Sequence, residues 1–132
     1  MKSRIVAVLI VGLALGVAGV YADSHQRTVM IWKCSLNDGK TMEDVQAANG
    51  KWVKNVNAAI EEGEIRSYVL TTVVGDQETF LYVDSFPNGM AWLAGREAGQ
   101  TEEGQAIEDE LNAAAECSKS SMYESEQSLP AD

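Results

Sequence analysis

The sequence predicts an α+β fold: a four-stranded antiparallel sheet with helices on one face, in the order β-α-β-β-α-β. Three observations lead there. Segments of period-two and helical patterning alternate in that order along residues 27–125. A short Gly-Asp-Gln segment (75–77) joins the second and third strand patterns, which makes them an antiparallel hairpin. Two cysteines, Cys34 and Cys117, fall where the first strand ends and the last begins.

The chain has 132 residues. Lys2 and Arg4 precede an apolar or glycine stretch from Ile5 to Val20, and Val20-Tyr21-Ala22 places small residues at the −3 and −1 positions of a cleavage site. That is the three-part pattern of a secretory signal peptide, expected to span residues 1–22. The alternative, a membrane anchor, needs about 20 apolar residues, more than this run supplies. The expectation is therefore an exported protein, periplasmic or extracellular, with no membrane attachment after cleavage.

Residues 23–125 are then one domain and residues 126–132 a polar tail. Without Lys2 and Arg4 the mature chain carries eight Lys and Arg against 20 Asp and Glu, a net charge of −12. Such a field repels nucleic acid and anionic membrane.

The first strand, 27–36, sets Val29 and Ile31 on one face and Met30, Trp32 and Cys34 on the other. Asn37-Asp38-Gly39 is a turn signal. Thr41, with Asp44 three residues on, reads as the N-cap and capping box of a helix over 42–61, whose apolar stripe is Met42, Val45, Trp52, Val56 and Ile60. Gly50 inside it points to a kink or a close contact. Residues 65–74 and 78–85 are the second and third strands. Asn88 caps a helix over 89–99, and Thr101 caps another running to about Glu116. Residues 117–125 form a weakly patterned last strand.

This order is that of the ferredoxin-like fold. In it the first and last strands are antiparallel neighbours, so Cys34 and Cys117 meet. Two cysteines in a small exported domain most often pair. A metal clip would need further Cys or His ligands nearby, and a redox pair the short C-x-x-C spacing; the sequence has neither. In residues 66–84 both strand faces are apolar, whereas a sheet covered on one side reads apolar on one face only. A second copy of the chain, sheet against sheet, is the simplest cover, so a homodimer is expected.

With that two-sided sheet the chain resembles the dimeric α/β-barrel superfamily, which includes antibiotic-biosynthesis-type monooxygenases, haem-degrading enzymes and ligand-binding domains. The segments "KCSLNDGKTMEDVQAANGKWVKNVN", "FLYVDSFPNGMAWLAG" and "ELNAAAECSKSSMYES" also resemble a group of uncharacterised exported bacterial proteins. These share C-x-x-x-D-G-K, a Trp in the first helix, a Pro-[Asn/Asp]-Gly loop and a late Cys. The resemblance implies the fold and export but carries no activity.

Chemistry is bounded by exclusion. The only histidine, His25, lies beside the expected mature N-terminus, which leaves no core imidazole for a triad or for haem. No zinc helix or dinucleotide fingerprint is present, and "NDGKTMED" lacks the spacing and terminal Glu of a calcium loop. Neither a metal site nor a cofactor is expected. Glu61–Glu64 and Glu108–Glu110 read as solvated helix ends and faces.

Aromatic residues remain. They fit either core and dimer packing or an apolar pocket between sheet and helices. The candidate ligand-binding residues are Trp32, Trp52, Asn55, Tyr68, Tyr82, Asp84, Asn88, Trp92 and Arg96. The first expectation is a non-catalytic domain that binds a small apolar or aromatic molecule. Alternatives are a cofactor-independent monooxygenase or isomerase, and a structural or interaction module of the envelope. A pocket lined by Trp, Asn and Arg would favour the enzyme; a packed, dry core would favour the structural module.

Overall fold

The computed structural model describes residues 26–131. The expected signal peptide and His25 lie outside the described residues. Seven elements follow in order: β1 (Gln26–Leu36), α1 (Met42–Ala59), β2 (Arg66–Thr71), β3 (Phe80–Phe86), α2 (Gly89–Gly99), α3 (Glu102–Ala114) and β4 (Ala115–Glu126). The sheet order is β2-β3-β1-β4, with every neighbouring pair antiparallel. This is the α+β, ferredoxin-like arrangement the sequence predicts. Among the described residues no helix is long and apolar enough to cross a membrane.

The helix starts follow local chemistry. The Thr41 side chain accepts a hydrogen bond from the Asp44 backbone N–H, and Asp44 Oδ2 accepts from the Thr41 N–H at 2.9 Å, closing the capping box. Asn88 Oδ1 accepts from the Ala91 N–H at 2.9 Å, and Thr101 Oγ1 from the Gly104 N–H at 3.0 Å. Each such cap contributes about 1 kcal/mol. The α1 helix runs unbroken through Gly50, where an added Cβ would meet nothing within 4 Å. The close contact expected there is absent among the described residues.

Strand boundaries shift from those the sequence predicts: β3 runs over 80–86 rather than 78–85, and β2 and β4 change more visibly. The β2 strand ends at Thr71, not Val74, because Gly75 adopts φ 116° and Asp76 accepts hydrogen bonds from the Glu78 N–H and the Thr79 hydroxyl. That turn takes Val73 and Val74 out of the ladder, and Val74 is 91% exposed. The β4 strand is longer than its weak pattern predicts. It pairs with β1 from Gln26↔Glu126 to Leu36↔Ala115, and its partner's regularity supplies what its own composition lacks.

Cys34 and Cys117 are directly paired across β1 and β4 and form a disulfide. On β3 the residues facing the helices, Phe80, Tyr82, Asp84 and Phe86, are all buried. Two apolar clusters lie along that row. One groups Cys34, Val45, Phe80, Tyr82, Ala114 and Ala115; the other groups Val56, Ile65, Phe86 and Ala91. Asp84 falls between them, an acidic group at a position the strand alternation makes a core position.

Candidate functional site

The gap between the two clusters is a cleft with the sheet as its floor and the helices as its walls. It consists of two adjoining cavities of ≈ 160 and ≈ 360 Å³, both lined by Trp32, Trp52, Asp84 and Glu108. The first also reaches Asn49, Tyr82, Leu111 and the disulfide at Cys117. The second opens past Phe86, Trp92 and Arg96.

Each side chain arrives there by simple periodicity. Trp32 lies on the same face of β1 as Met30 and Cys34, and Asp84 on the same face of β3 as Tyr82 and Phe86. Trp52 lies one turn beyond the buried Ala48 and Asn49 of α1, and Glu108 follows the buried Ile107 of α3. Trp52 and Phe86 meet edge to face, with ring centroids 6.3 Å apart. The Arg96 guanidinium lies 5.4 Å from the Trp92 ring centroid, a cation–π contact at the wider end.

Asp84 is 5% exposed. Its Oδ1 accepts a 2.6 Å hydrogen bond from the Ser67 hydroxyl, whose oxygen accepts in turn from Asn49 Nδ2 at 2.9 Å. Burial pushes the Asp84 carboxyl up to about 6; hydrogen bonds from Ser67 and the Trp32 side chain oppose this, and the charge of Glu108 reinforces it. Burial also raises Glu108, against a hydrogen bond from the Trp52 side chain. Two desolvated carboxylates, each held by an indole donor, therefore face one cleft. Tyr82 lies two residues before Asp84 on the same face, and burial, with the Asp84 charge, pushes its phenol up to about 12. Its hydroxyl is buried and has no hydrogen-bond partner among the described residues.

Chemically, the cleft offers aromatic faces for stacking, an acceptor that titrates close to neutrality at Asp84, and a hydroxyl free to donate or accept.

Of the candidates read from the sequence, Trp32, Trp52, Tyr82, Asp84, Trp92 and Arg96 line this cleft. Asn55 lies in a separate groove between helices with Ala98 and Thr101, and its Nδ2 is 3.5 Å from the Ala98 carbonyl oxygen. Asn88 caps α2. Tyr68 is on the far face of the sheet, opposite Val83 and 51% exposed. Glu108, Asn49 and Ser67 belong to the site without having been singled out. Glu108 corrects the sequence expectation most: the acidic run that reads as solvated turns one carboxylate inward, on the side of α3 where Ile107 is buried and Leu111 packs against the cluster of Phe80 and Tyr82.

No family model matches the chain, and no curated protein matches its sequence. Solved structures do match its fold. SnoaB, a cofactor-independent oxygenase from Streptomyces nogalater, superposes with a TM-score of 0.60 at 10% identity, over 80% of this chain and 99% of that one. A nipsnap family protein with unknown function from Agrobacterium tumefaciens gives 0.58 at 9%, over 80% and 94%. A putative antibiotic biosynthesis monooxygenase from Nitrosomonas europaea gives 0.52 at 18%, over 73% and 95%. At such identities the likeness concerns the backbone, and the conclusion it supports is one of fold: this chain has the ferredoxin-like fold seen in proteins of the dimeric α/β-barrel superfamily.

Proposed function

We propose that this is an exported, dimeric small-molecule-binding domain whose cleft takes a planar aromatic ligand without transforming it. The observation that carries the reading is the convergence of Trp32, Trp52 and Trp92 on one cleft with the buried Asp84 carboxylate on its floor. Aromatic walls with a few fixed polar groups are what an orienting pocket requires. Export is supported by the leader pattern and by the disulfide. Dimerisation is supported by the far sheet face, where Ile31, Val83 and Tyr68 stand in one row and Leu81 and Leu70 in the next. The exposed Tyr68, Leu70 and Tyr123 leave that face uncovered in a single copy.

The test is calorimetric titration of the mature chain with naphthol. Saturable binding at one site per chain, weakened in Trp52→Leu, is the expected result; heat with no saturation would refute the reading. Sedimentation at micromolar concentration tests the dimer, and a monomer at every concentration would contradict it.

A second reading, a cofactor-independent oxygenase, is favoured by Asp84, whose carboxyl titrates near neutrality and is suited to take a proton from a phenol. Oxygen uptake on adding a planar phenol, abolished in Asp84→Asn, would support it. No uptake above the uncatalysed rate removes it.

A further inference from the structure

Asp84 and Glu108 face the cleft, and among the described residues neither is in an ion pair. The ion pairs among the described residues are Lys33–Asp76, Lys51–Glu110 and Arg66–Glu64, and none involves either group. Arg96 lines the wider cavity but is placed over the Trp92 ring. Each carboxylate has only an indole, a hydroxyl or an amide chain to hold it. Two carboxylates that repel one another in a desolvated site are stabilised by a positive charge placed between them.

Tyr82 supplies an independent observation. The residue is 7% exposed, it lines the same cavity as both carboxylates, and its buried hydroxyl has no partner among the described residues. Leaving a hydroxyl in that state costs about 1–3 kcal/mol. A ligand N–H donated to the phenol oxygen removes the deficit. The walls complete the specification, since tryptophan faces attract a cation with an apolar body.

We propose that the cleft is built for a protonated arylalkylamine: the ammonium group donates to Asp84, Glu108 and the Tyr82 oxygen, and the ring lies against Trp32 and Trp52. Three acceptors match the three N–H donors of a primary ammonium. A bare metal ion would use the carboxylates but leave the indole walls without a role. A quaternary ammonium would suit the walls but has no N–H for Tyr82. This assignment rests on the cleft being a ligand site, and it names the class of ligand.

The test compares naphthylethylamine with naphthylethanol, which share ring and chain and differ in the charged donor. Calorimetry is done on the mature protein and on two near-isosteric variants, Asp84→Asn and Glu108→Gln. The amine is expected to bind roughly tenfold tighter or more. Each substitution should erase most of that difference between amine and alcohol. Equal affinity for amine and alcohol overturns the proposal and leaves the aromatic cleft standing. Binding of neither compound removes both. Should Asp84→Asn fail to fold, Glu108→Gln alone decides, and an unaltered preference for the amine in that variant contradicts the assignment.

Discussion

Cys34 and Cys117 come opposite each other because the ladder slips by one residue just before them. Pairing runs Lys33↔Lys119 and then Cys34↔Cys117, which leaves Ser118 without an opposite residue. In an uninterrupted register Cys34 would face Ser118. The bulge is therefore what brings the two sulfurs onto one face.

Replacing both cysteines by serine should lower the unfolding free energy by about 2–4 kcal/mol. The bond closes a loop with a sequence separation of 83 residues, for which the chain-entropy relation gives an upper value of about 4.5 kcal/mol. Urea unfolding of the two proteins measures the difference. Alkylation of the unreduced protein, read by mass, should modify neither cysteine; two modified thiols would show the bond absent.

Stability should fall as pH rises from about 4 through 6 because of Asp84, and then level off. Its carboxyl moves from 3.8 up to about 6 on folding, so in that interval the native state holds a proton the unfolded chain has released. The groups around it are Trp32 on β1, Asn49 on α1, Ser67 on β2, Tyr82 on β3, Arg96 on α2 and Glu108 on α3. Glu108 is raised and acts in the same direction. The exposed Asp44 and Asp76 are lowered, and their stabilisation disappears only below the ordinary carboxylate range. Asp84→Asn should match the parent below pH 4 and exceed it above pH 6, by up to about 3 kcal/mol. A gap that does not vary with pH would contradict this.

Tyr82→Phe should leave the stability of the free protein unchanged or raise it by about 1 kcal/mol, since it removes a buried, unpaired hydroxyl and keeps the ring. The same variant should bind naphthylethylamine more weakly. A destabilisation of about 2 kcal/mol or more would mean the hydroxyl is satisfied in solution, and its part in ligand binding would go with it.

Two glycine-to-alanine changes should have opposite signs. At Gly50 the space is open, so Gly50→Ala should stabilise α1 by about 0.5–1 kcal/mol. At Gly104 a Cβ would run into the Ala98 carbonyl oxygen and lie 2.8 Å from Gly99 Cα, all backbone. Gly104→Ala should therefore destabilise by about 1–3 kcal/mol or more. Thermal unfolding of the two single variants compares them directly.

What was legible in the sequence was local. Thr41, Asn88 and Thr101 start their helices because capping involves residues three apart. The alternation in 79–84 shows which residues share a face of β3. It does not show which face the helices cover, and so Tyr68 and Tyr82 look equivalent until the layers are in place. Asn49 and Ser67 are 18 residues apart on different elements, and their hydrogen bond has no sequence signature. Glu108 is one of several acids on α3, and its direction follows from which side of the helix is buried, the side of Gly104, Ile107 and Ala114.

The β4 strand has a further consequence at the rim of the sheet. It is the outermost strand beside β1, and from Glu116 to Glu126 it is exposed throughout, with Glu116, Lys119, Glu124 and Glu126 along its length. Charge and a bulge on a terminal strand are the features that discourage another chain from adding to the ladder and extending it into a fibril. At the opposite rim β2 is only six residues long and begins with Arg66. Growth strand by strand is disfavoured at both rims, so a crowded solution of this protein should yield discrete particles of fixed size rather than open-ended aggregates.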